Sequence, residues 1–334
     1  MARRFAGKVV VVTGASSGVG RAVARAFGAE GARVALLART TEALENAVEE
    51  IRAEGGEGLA LPTDVSDSAA VERAAATVIE AWGAIDVWVN DAMVSVFAPV
   101  KQMKDEEYRR VTDVNYLGTV YGTLAALRHM LPRDQGTIIQ IGSALAYTSI
   151  PLQSAYCASK AAIRGFTDSL RIELRHDRSQ VKVCMLQLPA VNTPQFDVVR
   201  TRLPNHPQPV PPIFQPEVIA AAVLYAAEHR PREKWLGWPA AKAIVGRFFA
   251  PRFVEWYLAR SGYRSQQTDQ PVSPERPDNV DSPIPGDKGA HGDFDSRARP
   301  TSPVIWLQTH PAIAAAGLAA LAVGAGFGAR SLRA

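Results

Sequence analysis

One alternation constrains this chain more than any other feature. Short β-branched or aliphatic runs recur at 8–12, 33–37, 58–61, 85–90, 136–142 and 181–188, and helical periodicity fills the intervals at 19–30, 42–54, 67–82, 105–131 and 153–175. Runs such as Lys8-Val9-Val10-Val11-Val12 lack the polar alternate positions of a half-exposed strand, so they suit a sheet covered on both faces. Strands of that kind, separated by helices of that length, predict an α/β fold with a doubly wound parallel sheet. The pattern ends near Pro239, so residues 1–240 form one domain.

The remainder changes character. In 241–263 the residues Phe248, Phe249, Phe253, Trp256 and Tyr257 are spaced for an amphipathic helix interrupted at Pro251, suited to cover a pocket or to face a membrane. Residues 264–303 are polar and rich in Pro, Gly and Asp, a linker that wraps the domain or stays mobile. Residues 304–330 carry no charged side chain before the terminal Arg330, with His310 neutral, and they are long enough to span a bilayer. Their Ala/Gly richness, with a small-x-x-x-small pair at Gly324 and Gly328, also suits a helix packed on a partner or on the domain, or a poorly ordered tail. Membrane association is the leading expectation.

Composition removes several classes. The formal charge is only +4 and its cations are scattered, which argues against nucleic acid. The two cysteines, Cys157 and Cys184, lie in apolar segments and offer neither a disulfide framework nor a metal cluster, so no metal is expected. The apolar run after Arg3 and Arg4 is too short for a signal peptide and flows into a glycine loop. A cytoplasmic location follows, with tethering to the cytoplasmic face of a membrane if 304–330 anchors.

That loop, Thr13-Gly14-Ala15-Ser16-Ser17-Gly18-Val19-Gly20, lies where the first strand gives way to the first helix. Glycines there let the backbone approach a pyrophosphate whose charge the helix N-terminus favours, so Gly14, Ser16, Ser17, Gly18, Val19 and Gly20 are candidate dinucleotide contacts. The second strand ends in Ala38-Arg39-Thr40 rather than in a carboxylate. Arg39 can fork onto a 2′-phosphate and Thr40 can add a hydrogen bond, which favours NADP(H) over NAD(H).

Tyr156 and Lys160 stand four residues apart, on one face of a helix. A phenol has a pKa of about 10, and a cation fixed beside it favours the phenolate. With the glycine loop, Asp64, Asn90, Asn115 and Ser143, this pair follows the order and spacing of the short-chain dehydrogenase/reductase family, which residues 5–240 resemble. The resemblance implies a Rossmann-type catalytic domain, hydride transfer between nicotinamide and a carbonyl or alcohol, and a homo-oligomer. It implies that Asp64, beside Val65, bonds the adenine, and that Asn90 steadies the sheet next to the cofactor. Asn115 would hold a water in a proton relay, Ser143 would orient the substrate carbonyl, and Tyr156 would donate and accept the proton. Lys160 would lower the tyrosine pKa and hold the ribose hydroxyls, while Pro189 and Thr193 would contact the carboxamide.

Two positions depart from the family. Met93 replaces a glycine in Asn90-Asp91-Ala92-Met93, and Ala190 replaces a glycine after Pro189. The variable substrate loop falls at 194–216, with Phe196, Val198, Val199, Leu203, Val210, Ile213 and Phe214 as lid candidates. Leu145, Tyr147, Pro151 and Leu152 are expected to line the pocket. This apolar lining suits a lipid-, steroid- or retinoid-like ketone or alcohol, with broad reduction of small xenobiotic carbonyls as the plainer alternative. A membrane-associated nicotinamide-binding scaffold or redox sensor is the other class of reading.

Overall fold

The computed structural model describes residues 3–273 and 275–314. Seven parallel strands form its centre: β1 Val9–Thr13, β2 Arg33–Ala38, β3 Glu57–Pro62, β4 Val87–Asn90, β5 Thr137–Ser143, β6 Lys182–Leu188 and β7 Glu233–Trp235. Their spatial order is β7-β6-β5-β4-β1-β2-β3. The order reverses between β1 and β4, which pair directly, Val10 with Val87 and Val11 with Trp88. Such a reversal opens a crevice at the carboxyl ends of the strands.

Seven helices flank the sheet: α1 Gly18–Ala29, α2 Thr41–Ala53, α3 Ser68–Trp82, α4 Asp105–Val111, α5 Gly118–Met130, α6 Ser154–His176 and α7 Pro216–His229. The side-chain period of two divides β1 between the layers. Val10 and Val12 join Val23 of α1, Leu44 of α2 and Ile219 of α7 in one core. Val9 and Val11 join Val71 of α3, Ala125 of α5 and Leu170 of α6 in the other. Both faces of the strand are therefore dry, as its unbroken valine run requires.

The helical stretch read at 105–131 is interrupted. A π-helical turn, Thr112–Leu117, joins α4 to α5 and holds Asn115. Such turns insert an extra residue into the helix and cluster at functional sites.

Beyond the sheet, α8 Gly237–Phe249 and α9 Pro251–Ser265 meet at Ala250. Residues 267–271 pair antiparallel with 205–207, and 298–299 pair parallel with 213–214. Between these pairings, 276–297 run across the open side of the crevice. Helix α10 Pro303–Thr309 follows. Its Ile305 is buried in the main core, and the Lys234 ammonium donates to the Gln308 carbonyl at 2.7 Å. The apolar stretch 304–330 thus begins by docking on the domain, and its residues 315–330 lie outside the described residues. Among the described residues no helix is long and apolar enough to cross a membrane.

Candidate active site

A cavity of about 960 Å³ runs from the glycine loop to the α8–α9 pair. It is lined by Gly14, Ser16, Ser17, Gly18, Val19, Arg39, Thr40, Asp64, Val65, Ser143, Tyr156, Lys160, Pro189 and Thr193. The fold brings these fourteen sequence candidates together because each lies at the carboxyl end of a strand or on the helix that follows. Gly14 has φ +72°, and a Cβ there would come within 2.8 Å of Ala92 Cα, so only glycine fits. This close-packed backbone at the start of α1 fits a nicotinamide dinucleotide.

Three candidates lie elsewhere. Gly20 does not line the cavity; a side chain on it would run into the Gly14 carbonyl, so its task is close packing. Asn90 is buried inside the domain. Its Oδ1 accepts from Trp88 Nε1 at 2.8 Å, and its Nδ2 donates to Gln140 Oε1 at 2.9 Å and to Thr123 Oγ1 at 3.1 Å. It ties β4 to β5 and α5 and does not reach the cleft. Asn115 accepts from Val94 N at 2.8 Å and donates to Val94 O at 3.0 Å and to Ser159 Oγ at 3.1 Å. Its side chain pins the 91–94 loop to α6 and has no hydrogen bond to Lys160.

The polar centre is compact. Ser143 ends β5, and its Oγ accepts from Leu145 N at 3.1 Å, so its own O–H remains to donate. Lys160 is buried, donates to the Ile141 carbonyl at 2.7 Å, and lies 5.6 Å from the centre of the Tyr156 ring. Burial pushes the Lys160 ammonium down to about 8, against the pull of Asp91. Burial pushes the Tyr156 phenol well above its ordinary range, and the Ser143 hydroxyl beside it acts the other way. The lowering expected from the lysine does not set the phenol here: burial raises it, and the group that opposes burial is the Ser143 hydroxyl.

Asp91 is the residue that sequence reasoning passed over. Burial raises its carboxyl to about 6, opposed by Lys160 and by the Gly20 N–H. The signal was present: a carboxylate next to Ala92, Met93 and Val94 in a loop that lines the dinucleotide cleft. Met93 also lines the cavity, and it is absent from the non-glycine residues of positive φ, so its Cβ needs no strained backbone.

At the far end, Arg39 donates to the Asn279 carbonyl at 2.5 Å, and Asp64 is held by Arg110 at 2.7 Å and by Ser66. Burial alone would raise the Asp64 carboxyl; Ser66 and Arg110 outweigh it and hold it below the usual range.

The substrate end departs from the sequence reading. Leu145, Phe196, Val198 and Val210 line the cavity. Tyr147 is drawn away by a 2.8 Å hydrogen bond to Glu233, and Leu152 packs with Phe97, Val199 and Leu203 in a satellite core. Pro151 lies against Gly262 of α9, and Ile213 and Phe214 are held in strand pairing. Val254, Tyr257 and Leu258 of α9 complete the wall.

Comparison with known proteins agrees with this geometry. The family model for short chain dehydrogenases matches residues 8–203. An uncharacterized oxidoreductase of Bacillus subtilis, YxnA, is 34% identical over 275 residues, 81% of this chain and 77% of that protein. A fatty acyl-CoA reductase of Acinetobacter baylyi is 33% identical over 229 residues, 68% of this chain and 75% of that protein. A metagenomic short-chain oxidoreductase, solved in complex with NADP, matches with a TM-score of 0.59 and 33% identity, covering 70% of this chain and 97% of its own. The chain belongs to the short-chain dehydrogenase family. It is an oxidoreductase that works with a nicotinamide cofactor.

Proposed function

We propose that this chain reduces the carbonyl of an apolar substrate with NADPH, Tyr156 giving the proton. The observation that carries this reading is the convergence of Ser143, Tyr156 and Lys160 where the dinucleotide cleft opens into an apolar chamber. The cofactor, when bound, supplies the hydride. Ser143 donates its free O–H to the carbonyl oxygen, where negative charge develops. Tyr156, kept protonated at neutral pH by burial, transfers its proton to that oxygen. Lys160 stabilises the phenolate left behind and would hold the ribose hydroxyls. Arg39 and Thr40 would take the 2′-phosphate, a preference that the NADP-bound relative supports; a xylitol dehydrogenase solved with NAD+ bound, TM-score 0.54 and 31% identical, shows that the fold serves both cofactors.

The apolar substrate is supported by the walls contributed by Leu145, Phe196, Val254 and Leu258 and by the likeness to the fatty acyl-CoA reductase. The test is a series of 2-alkanones of growing length assayed by NADPH oxidation. Each added methylene is expected to raise kcat/KM about fourfold until the chamber is full. A flat series would point to a small-carbonyl reductase instead.

A membrane surface is the second reading. Phe249 is 86% and Phe248 71% exposed on α8, Trp256 and Phe253 follow on α9, and exposed Arg252 and Arg260 accompany them. Aromatic residues with interspersed cations suit an anionic lipid surface. The full-length protein is expected to float with vesicles containing phosphatidylglycerol and to lose this with the double substitution F248S/F249S. Failure to float with any vesicle refutes the reading.

A further inference from the structure

The C-terminal segment runs along the whole length of the dinucleotide cleft and is fastened at three places. Near Arg39, the Asn279 and Asp281 carbonyls take the Arg39 guanidinium, Arg110 donates to the Val280 carbonyl at 2.9 Å, and Arg200 forks onto Asp278 at 2.9 and 3.0 Å. Val280 is fully buried in the second core. At the start of α1, the Gly289 carbonyl accepts from Gly18 N at 3.1 Å, and Asp287 receives both Arg21 Nη1 and Nη2 at 2.9 Å. Arg21 itself is 1% exposed and also grips Glu50, so this fastening reaches into the domain. At the third place, Asn192 donates to Asp295 at 2.8 Å and accepts from Phe294 N at 3.1 Å.

Between these fastenings Pro283, Ile284, Gly286 and Lys288 line the cavity. The segment therefore covers the cleft above a cavity, while its own carbonyls engage the Gly18 N–H and the Arg39 guanidinium that a bound dinucleotide would take over. Lys288 lies one residue from Gly289, and so beside the helix end where a pyrophosphate charge is favoured. It has no hydrogen bond or ion pair among the described residues, and its charge acts on Asp197. A flexible ammonium in that position is suited to a phosphate as a point charge.

We infer that residues 278–289 form a clasp over the bound dinucleotide and that Lys288 is a pyrophosphate ligand supplied by the C-terminal segment. This rests on the nicotinamide reading and extends it to residues outside the catalytic domain. The clasp makes cofactor exchange depend on releasing the Asp287–Arg21 fastening. Because Arg39 is shared between the clasp and the 2′-phosphate site, the clasp is also coupled to the phosphate that distinguishes the two cofactors.

The test uses the full-length protein and both nucleotides, read by binding and not by turnover. The pyrophosphate is common to NADPH and NADH, so Lys288→Met is expected to weaken both alike, by about tenfold, measured by nucleotide fluorescence titration. Asp287→Ala is expected to speed the stopped-flow release of both nucleotides, and hydrogen exchange of 278–289 in the native protein is expected to slow on NADPH addition. Lys288 is exposed, so its substitution does not endanger folding. Unchanged affinities in Lys288→Met, or exchange in 278–289 that ignores NADPH, overturn the clasp while leaving native nucleotide binding intact. A native protein that binds neither nucleotide would instead overturn the nicotinamide reading itself.

Discussion

Tyr156→Phe is expected to lower kcat/KM for ketone reduction about 10²- to 10⁴-fold, the range of a lost general acid. The ring stays, its packing is kept, and only the oxygen leaves, so NADPH affinity is expected to stay within about threefold of native. Stopped assays of NADPH oxidation alongside fluorescence titration separate the two. Retained turnover would remove Tyr156 from the chemistry. The native pH profile carries the same argument. Lys160 is held near 8, so the ammonium that steadies the departing phenolate is lost as pH rises through that value. The rate of reduction is therefore expected to fall on the alkaline side through about pH 8, well below the ordinary lysine value of about 10.4. A rate that holds to pH 10 would place Lys160 outside the reaction.

Arg39→Leu is expected to have the second large effect, and a selective one. A guanidinium on a phosphate contributes about 1.5–3 kcal/mol per charge-assisted hydrogen bond, so the Kd for NADPH is expected to rise about 10- to 100-fold. NADH lacks the 2′-phosphate and its Kd should barely move. Equal losses for both nucleotides would show that Arg39 acts through the backbone carbonyls of 279 and 281 and not through the phosphate. This outcome differs in pattern from the Lys288 substitution, which is expected to affect both cofactors because of the group they share.

Much of the domain was legible because its signals are local. The valine run of β1 has neighbours on both faces, and its pattern states that without reference to any other segment. The glycine loop and the Tyr156–Lys160 spacing are local too, and they fall at strand ends where a parallel sheet must place its cleft. What escaped the sequence depends on partners far along the chain. Asn90 turns inward because Trp88, Thr123 and Gln140 wait there, and no motif records that. Tyr147 leaves the pocket because Glu233, 86 residues later, takes its hydroxyl. The Pro- and Asp-rich stretch reads as a linker because it has no periodicity. Its order comes from aspartates that meet arginines, Asp278 with Arg200 and Asp287 with Arg21, the latter 266 residues away. The high tyrosine pKa escaped for a related reason: spacing reports that a cation is near, and only the packed surroundings report how dry the phenol is.

The clasp also has a consequence in time. A ribosome delivers Arg39 and the glycine loop long before Asn279, 240 residues later, and domains generally fold as their amino-terminal parts emerge. If residues 1–266 fold before residues 279–289 emerge, the cleft stands uncovered during that interval. A nucleotide that enters then meets an open site, and the segment that encloses it arrives afterwards. For this chain, acquiring the first cofactor during synthesis and exchanging it in the finished protein are two different physical events, with the barrier of unfastening belonging only to the second.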